Sequence, residues 1–338
     1  MESVQQMRYA PVGAEFDAVL RDQLLDRKKR LERARVQSGL EPDFTRLLDE
    51  VDDALARFDA GTYGLCETCG DPIEADRLIA DPLQRFCLGD LTQKELSSIE
   101  YDLMLASEIQ KGLLPKMDSL SDAWSVDFVY QPAGIVSGDY VDFIERDGEL
   151  YFILGDVSGK GMAASILMSN LHAMFRALVP LGLPLNELME RANHLFCEST
   201  LANHYATLIC GKLNGRGEVE FVNAGHLAPI IVNHEDCVAL ESAGLPLGMF
   251  CDSSFIASGA KIKQGETLLL FSDGVTEAMN HAGTEFGSER LMGTLREALG
   301  FEPTALLDNC VKAVSTFRLY AERNDDLTML ALKYKGVA

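Results

Sequence analysis

LYFILGDVSGKGMAA, Leu150–Ala164, is the stretch on which the reading turns. Tyr151–Leu154 is an apolar run that predicts a buried strand. The chain then turns through Gly155, Gly159 and Gly161, and Ala163–Leu178 has the apolar spacing of a helix. Asp156 stands at the mouth of the strand, where a carboxylate can face solvent from a rigid base. A strand, a glycine loop and a helix around one acid can form a phosphate cradle or present a metal ligand. The P-loop form of the cradle fails on inspection. Gly159-Lys160 is followed by Gly161 instead of Ser or Thr, and the upstream glycine spacing is wrong.

Working outward, the same arrangement recurs. Trp124–Gln131 leads through a Pro/Gly turn to Gly138-Asp139. Leu268–Phe271 ends in Ser272-Asp273-Gly274. Asp325-Asp326 immediately precedes Leu327–Leu332. One Asp-Gly pair is ordinarily a turn. Four acids in one region, each tied to a buried strand, ask for another explanation. Strands in a packed sheet bring their ends to a common edge, and carboxylates gathered there repel unless cations neutralise them. Oxygen-only ligands favour Mg2+ or Mn2+. Two such ions, about 4 Å apart, activate a water and clamp a phosphoryl group.

Further strands are expected at Ala206–Leu213, Glu218–Asn223, Ile230–Val232 and Thr328–Tyr334. Helices are expected at Leu185–Glu198, Ser288–Leu299 and Pro303–Phe317. Many strands with paired helices predict an α+β sandwich, not a strictly alternating parallel sheet.

Upstream, Ala14–Gln37 has helical spacing, with Phe16, Leu20, Leu24, Leu31 and Ala34 on one side. Ser38-Gly39 ends it, and Glu41-Pro42-Asp43 opens a second helix with Phe44, Leu47, Val51, Leu55 and Phe58 as a seam. Together they predict an antiparallel hairpin over 1–60. Its first arm carries Arg27, Lys28, Lys29, Arg30, Arg33 and Arg35, either a solvated face or a docking surface for an acidic partner or nucleic acid. In residues 61–90, Cys66-x-x-Cys69 and, after a long gap, Cys87-x-x-Asp90 have the layout of two zinc knuckles, with Asp90 where a fourth thiol would stand. Residues 91–118 read as a linker helix with Leu96, Ile99, Leu103, Ala106, Ile109 or Gln110, and Leu113 on its seam. Pro115 stops it. Such a seam packs on its own domain or pairs with a second copy, and a homodimer is the expectation.

The totals exclude several classes. A net charge of -22 argues against direct nucleic-acid binding. No run of about 18 apolar residues is present, so no membrane span is expected. The first residues lack a basic stretch followed by an apolar one, so no secretory signal is read and the expected location is the cytoplasm. The 8 cysteines are then expected to be thiols, not disulfides. Cys210 and Arg216 have a cysteine-phosphatase spacing, but they fall in a strand–turn–strand pattern that cannot open a helix.

Two resemblances sharpen these expectations. GTYGLCETCGDPIEADRLIADPLQRFC resembles the zinc finger of the DksA/TraR proteins, which also carry a hairpin before it and bind RNA polymerase. ASEIQKGLLP (Ala106–Pro115), SGDYVDF (Ser137–Phe143), LGDVSGKGMAASILM (Leu154–Met168), NAGHLAPI (Asn223–Ile230), GLPLGM (Gly244–Met249), LFSDGVTEAMN (Leu270–Asn280) and RNDDLTML (Arg323–Leu330) resemble the SpoIIE/RsbU branch of the PPM (PP2C-type) serine/threonine phosphatases. That resemblance implies an α-β-β-α sandwich over 119–338 with two Mn2+ or Mg2+ ions. Asp156 would bridge them with the Val157 carbonyl as a further ligand, Asp139 would hold the second ion, and Asp273 and Asp325 the first. Asp325 is preferred to Asp326 because the branch places its ligand three residues before a Thr, here Thr328. Lys160 and His226 are possible substrate contacts. The implied substrate is a phosphorylated STAS-type anti-sigma-factor antagonist, with the N-terminal region and linker helix regulating the enzyme. One structural zinc would sit on Cys66, Cys69, Cys87 and Asp90. The alternative is a DksA-like regulator that contacts RNA polymerase and carries a secondary or inactive phosphatase domain.

Overall fold

The computed structural model describes residues 20–25, 27–29, 31–32, 42–90, 93–116, 122–200, 204–241, 244–319, 321 and 323–336. They belong to two units, Met1–Tyr101 and Asp102–Ala338.

In the first unit, residues 20–25, 27–29 and 31–32 are helical. The rest of the expected Ala14–Gln37 helix, with Arg30, Arg33 and Arg35, lies outside the described residues. α1 (Pro42–Asp59) forms the second arm. Leu24 packs on Val51 and Ala54, with Leu55 and Phe58 beside them. Leu20 extends this contact into Cys66, Ile73, Leu78 and Cys87, around the short helix α2 (Ala75–Ala80). The hairpin arms and the knuckles therefore share apolar packing. On the basic arm, Lys28 meets Asp52 at 2.5 Å and Arg21 meets Asp59 at 2.8 Å. Exposed pairs of this kind contribute little to stability. α3 (Gln93–Leu113) follows, and the division between the units falls within it.

The second unit is built from β1 (Trp124–Gln131), β2 (Asp139–Arg146), β3 (Glu149–Val157), α4 (Gly161–Leu178), α5 (Leu185–Ser199), β4 (Ala206–Leu213), β5 (Glu218–Ala224), β6 (Ile230–Val232), β7 (Cys237–Ala239), β8 (Ser258–Lys261), β9 (Thr267–Phe271), α6 (Asp273–Thr276), α7 (Gly287–Glu297), α8 (Pro303–Arg318) and β10 (Leu327–Tyr334). Two antiparallel sheets result, in the orders β1-β10-β9-β6-β7 and β2-β3-β4-β5-β8.

Side-chain alternation assigns the layers. Along β3, Leu150, Phe152 and Leu154 join Val141, Phe143, Leu268, Leu270, Leu330 and Leu332 in the core between the sheets. Tyr151 and Ile153 point the other way, onto Leu171 and Phe175 of α4 and Leu188 and Phe196 of α5. Leu269, Phe271, Met329 and Ala331 likewise face α7 and α8. This is the expected α-β-β-α sandwich. α4 with the turn after it, Gly161–Leu181, is long and apolar enough to cross a membrane by length and composition alone. In the fold, Ala164, Met168, Leu171 and Phe175 are buried against the sheet. The cysteine-phosphatase spacing falls where expected, in the β4–β5 hairpin, with Cys210 buried.

Three expectations need correcting. Strand β3 runs through Gly155 to Val157 instead of turning at Gly155. The turn is made by Gly159 and Gly161, at φ +100° and +70°. Asp139 does not cap the strand Trp124–Gln131 but opens β2, a strand the sequence reading did not pick out. Finally, Cys197 and Cys251 are not thiols. They form a disulfide across 54 residues, because the end of α5 and the loop after β7 meet there at a Cα–Cα distance of 5.8 Å.

β2 was obscured by a charge in its middle. Asp142 is fully buried, accepts two hydrogen bonds from Arg176 of α4 (2.8 and 2.5 Å), and takes a third from the Tyr140 hydroxyl at 3.2 Å. Removing one partner of such a pair leaves the other charge unmatched. Arg176 is 42% exposed and can rehydrate, so Asp142→Ala is expected to cost about 3 kcal/mol, at the low end for a buried pair. Urea unfolding of the variant checks this.

Candidate active site

The alternation that fills the core also positions the acids. Asp156 has the same parity as Leu150, Phe152 and Leu154, so it lies on the inter-sheet face where that face runs out. Asp139 is its direct partner in the β2–β3 register. In an antiparallel pair such side chains stand about 5 Å apart at Cβ. From the other sheet, β9 ends at Phe271, Ser272 follows and α6 starts with Asp273, while Asp325 lies two residues before β10. Four of the expected residues are thus brought to one end of the sandwich.

Their electrostatics record the crowding. Asp139 is 1% exposed, and its carboxyl is pushed well above the usual range by burial and then by Asp156. Asp156 is pushed up to about 7 by burial, then by Asp273, Asp325 and Asp326. Asp273 is raised by burial and Asp325. Lys160 is the cation at this mouth. Its Nζ donates to Asp325 Oδ2 at 3.1 Å and to the Asn324 carbonyl at 2.6 Å. Beside it a cavity of about 390 Å³ is walled by Leu103, Ile135, Val136 and Met162.

Asp325 and Asp326 have different surroundings. Asp326 Oδ1 accepts from Ala133 N at 2.6 Å. Its Oδ2 accepts from Ser137 Oγ at 2.7 Å and Gly138 N at 2.9 Å. Both oxygens are occupied in tying the 133–138 loop to the start of β10. Gly138 is needed there, since a Cβ would lie 3.0 Å from the Val157 carbonyl and 3.2 Å from Asp156 Oδ1.

Three residues of the supporting layer escaped sequence reasoning. Ser272 Oγ donates to Asp139 Oδ2 at 3.0 Å. Ser137 Oγ accepts from Asp139 N at 3.0 Å. Gln110, 3% exposed, donates Nε2–H to the Ser137 carbonyl at 2.7 Å and accepts Ser137 N–H at 2.9 Å. The serines stand beside acids already singled out, so adjacency was an available signal. On the helix seam Gln110 is the alternative to Ile109. The structure decides for Gln110, since Ile109 is 59% exposed.

His226 is drawn inward. Its Nδ1 lies 3.0 Å from Thr207 Oγ1, its Nε2 is buried without a hydrogen bond, and burial lowers its pKa to about 4. It is neutral at physiological pH and sits behind Thr207, the register partner of Asp156.

Among the described residues, Cys66, Cys69 and Cys87 form the only group of three whose ligand atoms all lie within 4.8 Å of one another. Zn–S bonds of about 2.3 Å in a tetrahedron require sulfurs at such spacing, so the thiols fit zinc. Asp90 ends a short turn, Leu88–Asp90, and its side chain lies outside the described residues. The carboxylates are spread more widely than the thiols.

Comparison with known proteins agrees with this geometry. The family model described as stage II sporulation protein E (SpoIIE) matches residues 146–335. The chain belongs to the SpoIIE family. Within it, this member also carries a match to the prokaryotic dksA/traR C4-type zinc finger over residues 61–89. The SpoIIE-family chain is 29% identical over 262 residues to Protein IcfG of Synechocystis, covering 68% of this chain and 41% of that protein. It is 24% identical over 246 residues to phosphoserine phosphatase RsbU of Bacillus subtilis, covering 72% of each. It thus spans less than half of IcfG and nearly three quarters of RsbU. The SiaA-PP2C domain of Pseudomonas aeruginosa superposes with a TM-score of 0.64 at 18% identity, over 71% of this chain and 97% of that one. The fold is therefore the PP2C fold.

Proposed function

We propose that this chain is a metal-dependent protein serine/threonine phosphatase. The observation that carries the reading is the meeting of Asp139, Asp156, Asp273 and Asp325 at one end of the sandwich, where burial and mutual repulsion hold three of the carboxyls above their ordinary range. An arrangement that unfavourable for the bare protein is what cation binding would relieve. Asp156, the Val157 carbonyl and Asp139 would hold one Mn2+ or Mg2+, and Asp156, Asp273 and Asp325 the other. When bound, such ions supply an activated water and neutralise charge on the phosphoryl group. The chain's own residues orient and support. Asp326, Ser137 and Ser272 fix the acids. Lys160 offers an ammonium at the mouth for a phosphoryl oxygen. Ile135, Val136 and Met162 give an apolar wall for the polypeptide around the phosphorylated residue.

The substrate we propose is a phosphorylated STAS-type anti-sigma-factor antagonist in the cytoplasm, which is supported by the likeness to a named phosphoserine phosphatase, RsbU. Incubation with that phosphoprotein, with and without Mn2+, tests both parts. Release of phosphate only with the metal is expected, and no turnover in saturating Mn2+ would sink the reading. The zinc-finger match favours a second activity, contact with RNA polymerase; a polymerase pull-down with the full chain that recovers nothing removes it.

One zinc per chain, held by Cys66, Cys69, Cys87 and Asp90, belongs to the same proposal. Because structural zinc contributes directly to folding, Cys87→Ser is expected to abolish the metal content and unfold the Leu20–Cys87 core. Elemental analysis and hydrogen exchange of the full chain check it. α3 presents Tyr101, Met104, Leu105 and Ile109 outward at helical spacing. Pairing of two copies along this face would make the homodimer, and a monomer by sedimentation at micromolar concentration would rule it out.

A further inference from the structure

After β7 the chain leaves the sheets and crosses the end of α5. Three anchors hold this crossing. Leu247 exchanges two backbone hydrogen bonds with Ala206, at 2.8 and 2.9 Å. Asn193 of α5, fully buried, accepts Gly248 N–H at 2.9 Å and donates to the carbonyls of Phe250 (2.8 Å) and Cys251 (3.1 Å). The third anchor is the disulfide from Cys251 to Cys197. On the outside, Leu245, Met249, Phe250 and Ile256 are 49%, 43%, 56% and 84% exposed.

This apolar loop continues to the acid cluster. Ala206, its anchor, is the register partner of Val157. The neighbouring Tyr205 accepts Ser158 N–H on its carbonyl and donates its own N–H to Ser158 Oγ, both at 2.9 Å. A protein bound with one residue at Asp156 would also cover the Leu245–Ile256 loop.

The disulfide is unlike the other cysteines of this unit. Cys210, Cys237 and Cys310 are buried, and burial pushes their thiols up, which keeps them unreactive. Cys251 is exposed and Cys197 half-buried. The loop's attachment at Leu247 and Gly248 does not depend on the S–S bond. A bond that reductant can reach, in a loop with backbone anchors of its own, is open to thiol–disulfide exchange.

We propose that Cys197–Cys251 is a thiol–disulfide exchange site, opened by a dithiol, that sets how firmly the Leu245–Ile256 loop is presented to the phosphoprotein substrate. The proposal rests on the phosphatase reading. In the exchange, a reductant thiolate attacks Cys251 Sγ and the S–S bond breaks. Cys197 leaves as thiolate and takes a proton. The reductant's second thiol then displaces Cys251, so two electrons and two protons pass to the chain and the reductant becomes a disulfide. The backbone anchors at Leu247, Gly248, Phe250 and Cys251 stay in place beside Ala206 and Asn193, while the segment after Cys251 gains freedom that docking must remove.

The full chain is equilibrated with oxidised glutathione or with dithiothreitol, and its thiols are counted by alkylation and mass spectrometry. Cys197 and Cys251 are expected to resist alkylation only in the oxidised state. Reduction is expected to raise KM for the phosphoprotein about three- to tenfold, as ordering of the loop's side chains is added to the binding step. Turnover of a small aryl phosphate with Mn2+ stays unchanged. Cys251→Ser shows the raised KM in both conditions, which separates the staple from any effect of reductant on the finger thiols. An unchanged phosphoprotein KM on reduction, or alkylation of both cysteines under oxidising conditions, overturns the proposal. Limited proteolysis provides a readout independent of activity. Residues 252–256 are expected to be cleaved faster after reduction, and equal cleavage also overturns it. No turnover of the aryl phosphate in either state would instead strike the phosphatase reading.

Discussion

Asp156→Asn is expected to lower kcat/KM towards a phosphoserine protein by about 10³-fold or more, and yet to raise the melting temperature of the metal-free chain. The first effect follows from the proposed place of Asp156 as the acid shared by both ions. Loss of one preorganised electrostatic element alone costs about 10²–10³, and this one would weaken both ions together. The second follows from linkage. Burial, and then Asp273, Asp325 and Asp326, move the Asp156 carboxyl from 3.8 to about 7. A folded-state pKa raised in this way contributes stability that is fully present below the unfolded value and is lost as pH rises through the folded one. Metal-free wild type should therefore lose stability between about pH 4 and pH 7, by at most about 4 kcal/mol from this group. The Asn variant lacks that slope and is the more stable at pH 8. Mn2+ should reverse the order by stabilising wild type only. Calorimetry with and without Mn2+ at pH 5.5 and 8 checks the stability half, and phosphate release checks the other. Full activity in the variant would remove Asp156 from the centre.

This opposition between stability and function explains what could be read from the sequence. The four acids stood out because each breaks an apolar run at a place where a folded chain gains nothing from a charge. β3, β4 and β10 were legible for the same reason, since their apolar residues announce burial on both faces. β2 was not. DYVDFIER carries an acid in its centre, and the arginine that neutralises it arrives 34 residues later on α4. β7 and β8 are short, with most of their residues exposed or half-buried, and have no apolar run to show. Asp325 and Asp326 could be ordered only through a family spacing. In the structure both are engaged: Asp326 gives its two oxygens to the 133–138 loop, while Asp325 Oδ2 accepts from Lys160 and its Oδ1 from Asp326 N. The Cys197–Cys251 pair depends on a crossing that no local pattern encodes.

Gln110→Ala is expected to reduce turnover about 10- to 100-fold, the usual range for residues that hold a metal ligand in place, and to shift the Mn2+ dependence to higher concentration. The effect runs through Ser137, whose every polar atom is engaged. Its N–H and carbonyl go to Gln110, while its Oγ donates to Asp326 and accepts from Asp139 N. Only an amide can serve both backbone groups, because one end must accept while the other donates. Alanine leaves them buried and unmatched, at about 1–3 kcal/mol for an orphaned polar group, and the segment entering Asp139 loses its fixed point. Gln110→Glu should be at least as damaging, since a carboxylate oxygen would then face the Ser137 carbonyl with nothing to donate. The same helix shows Met104, Leu105 and Ile109 to the outside. If a second copy or a regulator bound that face and turned this helix, the movement would reach Asp139 through Gln110 and Ser137. A chain beginning near Leu120 lacks this helix and should behave as Gln110→Ala does, with a preserved fold by circular dichroism but a displaced Mn2+ curve. If both variants keep the wild-type rate and metal dependence, the helix is only a tether, and control must enter the site by another route.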